Sequence, residues 1–199
     1  MNQDIEIIVG KILKQACETK QIDIKKIEEY LGKPKYPSYR DSKNGIGVVN
    51  GLAYTGYGGD ILPIEVNYFK GSGKLVLTGS LGEVMKESAL IALDYVKTNY
   101  KKYGIQYKDL IENDIHIHVP QAAIPKEGPS AGITLVTALI SAFSKTKISN
   151  EIAMTGEITL KGTVLPIGGL KEKSIGALRA GVKKIIIPFA NARDLDDIP

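Results

Sequence analysis

The chain has 199 residues, 43% apolar and 24% charged, with a net charge of +4 from 26 basic and 22 acidic side chains. That suits one good-sized soluble globular domain with room for an appendage. The basic residues are scattered in runs of no more than two, which reads as solvated surface more readily than as a nucleic-acid face. Cys17 is the only cysteine, so an intrachain disulfide and a cysteine-based metal site are excluded, and a reducing compartment fits. No apolar run approaches membrane-spanning length, and "MNQDIEIIVG" carries acids where a secretory signal would be apolar.

In chain order, Ile5, Ile8, Val9, Ile12, Leu13 and Ala16 fall on one face of a helix. A second short helix fits 23–31, capped by Asp23 and stopped by Gly32 and Pro34. The polar "KPKYPSYRDSKNG" (33–45) reads as a linker, with a domain boundary near residue 37. Beyond it the period becomes that of strands: 45–55 and 60–69, joined by "GYGG", then 74–79. A long amphipathic helix is predicted over 83–100, a strand over 114–120 and an irregular segment over 120–128. A helix follows over 129–143, then strands near 151–159 and 163–166. The turn "PIGG" (166–169) leads to a helix over 170–180 with Gly181 as its C′ residue, and a last strand spans 183–188. Strands first and mixed elements afterwards make the fold class α+β.

Three constellations compete for the chemistry. A phosphate loop around "KGSGKLVL" (70–77) would put Tyr68 and Leu75 where it needs Gly and Ser/Thr; Gly71-Ser72-Gly73 is read as a hairpin turn with no ATP site. His116 and His118 share one strand face, opposite Ile115, Ile117 and Val119, and read as a polar face more readily than as a general base. Two histidines alone make a poor metal site. The third is serine with lysine. Ser130 in "KEGPSAG" (126–132) lies at a predicted helix start, where it is either a cap or a nucleophile. Lys171 and Lys173 follow the double glycine and lie about 200° apart round the axis. Lys173 is nearer a packed side formed by Leu170, Ser174, Ala177, Leu178 and Gly181. Taken alone, a lysine there reads as a solvated surface group.

Taken together, "PKEGPSAGIT" (125–134), "AMTGEITLKGTVLPIGGLKEK" (153–173) and "AGVKKIIIP" (180–188) resemble the proteolytic domain of the ATP-dependent Lon proteases, and the bacterial type most. The resemblance continues in "GVVNGLAYT" (47–55), "LTGSLGEVMKESA" (77–89) and "IHVPQAAIPK" (117–126). It implies a Lon proteolytic-domain fold of several small sheets packed with helices over 37–199. Residues 1–36 would be a helical remnant of the preceding ATPase module, and a final C-terminal piece would be missing. It implies Ser130 as nucleophile, Lys173 as general base and Thr155 as the hydroxyl that orients it. Glu127 and Gly128 would shape the serine loop, and Tyr54 would line the peptide groove. It implies no cofactor or metal in this segment, ATP and Mg²⁺ being bound by the absent ATPase module. Unfolded or damaged protein would be the substrate, in a hexamer of the cytoplasm, with no membrane or nucleic-acid partner for this domain. A non-catalytic Lon-like module for assembly or nucleic-acid binding is the alternative; such modules lose the serine or the lysine. Two letters depart from the pattern: Glu127 stands where Asp is more usual, and Tyr54 where Trp is frequent.

The chemistry sets its own demands. A lysine acts as base only when neutral, and lowering its pKa from about 10.4 to roughly 7–8 corresponds to about 3–4 kcal/mol against the charged form. Burial against Leu170, Ile175, Ala177 and Ile167 would supply that sign, whereas a carboxylate in contact would oppose it, so Glu127 and Glu157 are expected to stay clear of Lys173. The oxyanion is expected to be held by the Ser130 amide and one amide from 126–129.

Overall fold

The computed structural model of the chain describes residues 45–198, apart from 57, 122 and 123. The helices expected within 1–36, the boundary near 37 and Cys17 lie outside the described residues.

Strand β1 (Val48–Thr55) pairs antiparallel with β2 (Gly58–Lys70) along its whole length. Period-two alternation sends Val49, Leu62, Ile64 and Val66 into the main core and Leu52 and Ile61 to the opposite face. The sequence predicts a hairpin at 71–73, and the structure differs. Strand β4 (Asn113–His118) lies between β2 and β3 (Leu75–Thr78), antiparallel to the first and parallel to the second. Parallel neighbours need a crossover. It is made by α1 (Glu83–Thr98), a 3₁₀ turn (Tyr100–Tyr103) and a short helix, α2 (Tyr107–Ile111), that the apolar pattern did not reveal. The 71–74 bend is fixed by Asp114, whose Oδ1 accepts from the amides of Ser72 and Lys74 at 2.7 and 3.0 Å. Those bonds hold the Asp114 carboxyl below its usual range.

Helix α3 (Gly132–Ser144) precedes β5 (Ile152–Met154), and β8 (Lys184–Ile186) extends the sheet beyond it. The resulting six-stranded mixed sheet runs β3-β4-β2-β1-β5-β8. The strand predicted over 151–159 is interrupted at Thr155–Gly156, and its second part, β6 (Glu157–Ile158), pairs instead with β7 (Val164–Leu165). One sheet face packs on α1 and α3 around fully buried Ile64, Val96, Ile115, Ile117, Leu135 and Leu139. The other carries α4 (Leu170–Arg179) over Leu52, Ile61, Ala153 and Ala177. Helix α4 ends as the sequence predicts. Gly181 has φ +79°, its amide donates to Leu178 O and that of Val182 to Ala177 O, a Schellman pair. A 3₁₀ segment (Phe189–Asp197), not foreseen, closes the described residues.

Candidate active site

The interruption after β5 and the start of α3 build one half of the site. Ser130 O accepts from Gly156 N at 2.8 Å and from Thr155 Oγ1 at 3.2 Å, while Ile133 N donates to Gly156 O at 3.0 Å. Gly132 N donates to Pro129 O, closing a tight turn at Pro129–Gly132, so α3 begins at Gly132 with Ala131 as N-cap and not at 129. No side-chain cap bond is made there, which leaves the half-buried Ser130 hydroxyl uncommitted to the helix. Gly128, at φ +101°, turns the chain into this segment through a region that side-chain-bearing residues rarely adopt.

Helix α4 brings the other half. Lys173 is 3% exposed, and its Nζ lies 3.1 Å from Ser130 Oγ and 3.2 Å from Thr155 Oγ1. Burial pushes its pKa down to about 8. Leu170 and Ala177 share its buried face. Two neighbours expected to help do not: Ile175 is more than a third exposed, and Leu178, assigned to the packed side, is 75% exposed. The helix turns them outward because Gly176 and Ala177 occupy the contact with the sheet. Among the described residues the ion pairs are Lys86–Glu83, Lys183–Glu151 and Arg193–Asp194, so no carboxylate pairs with Lys173.

Glu127 faces the other way, its Oε1 accepting from Val84 N in the first turn of α1 at 3.1 Å and from Gly128 N at 3.2 Å. Tyr54, at the end of β1, is 58% exposed and lies against Gly169, where a Cβ would come within 3.2 Å of its ring. The two histidines stay outside the cluster: His116 Nε2 and His118 Nδ1 meet the Thr78 hydroxyl at 2.8 and 2.7 Å. Among the described residues no group of three His, Cys, Asp or Glu side chains could hold a metal ion, and no helix is long and apolar enough to cross a membrane.

The family model described as "Lon protease (S16) C-terminal proteolytic domain" matches residues 21–199. The chain belongs to this family. Among its relatives, the Lon protease of Mycoplasma mycoides subsp. mycoides is 59% identical over 174 residues, 87% of this chain and 22% of that one. That of aster yellows witches'-broom phytoplasma is 56% identical over 179 residues, 89% and 23% of the two chains. That of Clostridium acetobutylicum is 48% identical over 204 residues, the whole of this chain and 26% of its own. The chain thus spans about a quarter of the length of these curated relatives.

Sequence reasoning missed several residues that shape this Lon proteolytic domain. Lys126 is buried, and its Nζ donates to the carbonyls of Gly79, Gln121 and Ile124 at 2.9, 2.6 and 3.0 Å, tying the segment before the serine loop to the turn after β3. Burial lowers its pKa as well. Asn191 clasps the "PIGG" loop from the far end, donating to Ile167 O and accepting from Ile167 N, both at 2.9 Å. Neither carries a local signal, since an isolated lysine or asparagine reads as surface. Gly176, a glycine inside a helical pattern, is the kind of letter that does hint at close packing.

Proposed function

We propose that Ser130 and Lys173 are the nucleophile and general base of a Ser–Lys peptidase, with Thr155 orienting the base. The observation that carries this reading is the 3.1 Å approach of a buried lysine with lowered pKa to a hydroxyl that no helix cap claims. Neutral Lys173 takes the Ser130 proton as Oγ attacks the peptide carbonyl; the tetrahedral oxyanion then collapses to an acyl-enzyme as the Lys173 ammonium passes that proton to the leaving amine, which makes the lysine neutral again. Water, activated by the same lysine, then releases the acid. Serine at the head of α3 supports an oxyanion site built from its own amide and one from 126–129. Within that segment Lys126 N is bonded to Ser80 O and Pro129 has no N–H, which leaves Glu127 N and Gly128 N, the latter now given to the Glu127 carboxylate, as the candidate second donors. Tyr54 is assigned to the wall of the peptide groove.

For the longer protein, the relatives' name supports a protease; we assign it an ATPase module that precedes this domain, with residues 1–36 as that module's end and 37–199 as the proteolytic domain. We assign it unfolded or damaged proteins as substrates, a hexameric ring, ATP and Mg²⁺ in the ATPase module, and the cytoplasm. The 199-residue chain alone should cleave only small or unfolded peptides and assemble weakly. The test is labelling with a fluorophosphonate or peptide boronate. The native chain is expected to label at Ser130, Ser130→Ala not at all, and Lys173→Ala at least about a hundredfold more slowly. Equal labelling of all three would overturn the Ser–Lys dyad, and no labelling of the native chain would favour a non-catalytic Lon-like module.

A further inference from the structure

Lys173 sits on α4, so the distance between α4 and the sheet sets the reach of its amine. The closest backbone approach of the two is at one place. The hairpin pair Tyr54↔Gly59 lies beneath α4, and there Gly59 and Gly176 meet backbone to backbone. A Cβ on Gly59 would overlap the carbonyl of Glu172 and come within 2.8 Å of Lys173 Cα; one on Gly176 would overlap the carbonyl of Gly59 and come within 2.7 Å of Asp60 N. Neither glycine has positive φ, so space, and not backbone conformation, excludes a side chain. Arg179, one turn past Gly176, donates its Nη2 to Gly59 O at 2.7 Å and holds the contact shut. Gly176 lies three residues after Lys173, on the same buried face of the helix.

We propose that Gly59, Gly176 and Arg179 are positioning residues for Lys173: their backbone contact seats α4 on the hairpin closely enough to keep the amine dry and within hydrogen-bond range of Ser130. The inference rests on the reading of Lys173 as general base. One added methyl at either glycine must push α4 outward, because the atoms met are backbone and not movable side-chain ends. The amine then loses Ser130 and gains water.

The test uses the 199-residue chain with a fluorogenic unstructured peptide, fluorophosphonate titration of Ser130, and thermal melts of Gly176→Ala, Gly59→Ala, Arg179→Met and Arg179→Lys. Gly176→Ala is expected to lower kcat about a hundredfold per labelled site with KM little changed. Its acid limb of kcat/KM should move up from about 8 toward the ordinary lysine range. Alanine is the better helix former, so on propensity alone the same change would stabilise the protein. Arg179→Met adds no clash, should move both quantities the same way by less, and decides the question if the alanine variants do not fold; Arg179→Lys should restore part of the loss. Folded variants that keep the parental acid limb and per-site kcat would overturn the proposal. An acid limb that survives Lys173→Ala in the parent would instead overturn the reading of the base.

Discussion

Thr155 has one proton to give, and the carbonyl of Ser130 takes it. Toward Lys173 the threonine oxygen can therefore only accept. A neutral amine has two N–H bonds and one lone pair; giving an N–H to Thr155 leaves the lone pair to be aimed at Ser130, 3.1 Å away. Thr155→Val removes this aim without changing burial. We expect kcat to fall about tenfold with the acid limb of kcat/KM still near 8, since desolvation sets that value. The stability loss should be about 1 kcal/mol, because Gly156 N still satisfies Ser130 O. Kinetics across pH 6 to 10 and urea melts of the variant check both statements. In the parent, activity should rise with pH through about 8, the direction required of a lysine that works only when neutral.

At the scale of elements, the serine loop is stapled to the head of α1. That helix starts at Gly82 with no side-chain cap of its own. The Glu127 carboxylate serves instead, taking the N–H of Val84, 43 residues before it, at the positive end of the helix dipole. It stands where a Cβ of residue 82 would be. Gly82 has φ −73°, a conformation open to alanine, so its glycine answers to the carboxylate alone. Gly82→Ala should then cost about 1 kcal/mol in the parent and close to nothing in a Glu127→Ala background, a coupling that a double-mutant cycle in urea reads directly. Additive losses would show that the two residues act separately. One carboxylate oxygen of Glu127 thus serves both Val84 N of α1 and Gly128 N of the serine loop.

For the whole molecule, the buried Lys173 leaves a signature on stability. Below pH 8 Lys173 is protonated in both states, and the native state bears the full cost of a buried ammonium. Between about 8 and 10.4 the unfolded chain binds more protons, so stability should rise with pH, by up to about 3 kcal/mol. Lys126, lowered by burial, contributes with the same sign. Tyr103 acts in the opposite sense: desolvation and a hydrogen bond with Tyr95 raise it to about 12, so above pH 10 the native state holds a proton that the unfolded chain has lost. Stability should therefore peak near pH 10. Urea midpoints at pH 7.5 and 9.5 test this, and Lys173→Met should be the more stable protein at pH 7.5 and show most of the rise abolished.

Much of this protein is legible one residue at a time. The alternation of β1, β2 and β4, the apolar stripes of α1 and α3 and the glycine stop after α4 follow from local periodicity and turn chemistry, which need no neighbours in space. The motif letters around Ser130, Thr155 and Lys173 carried the family resemblance in the same way. Local pattern could not say that β4 would separate β3 from β2, nor that a single strand prediction over 151–159 would break at Thr155, because strand order and breakage are decided by which edges and carbonyls meet. Nor could it tell a buried lysine from a surface one. Lys171 and Lys173 differ only in which side of α4 they occupy, and that side is chosen by two glycines more than a hundred residues apart in the chain. The sequence by itself determined most of the elements and the motif letters. Only the tertiary structure decided that Ser130 caps nothing, that Glu127 turns away, and that Lys173 is dry enough to give up its proton near pH 8. Desolvation and hydrogen-bond geometry depend on every atom within a few ångströms, and those atoms come from distant parts of the chain.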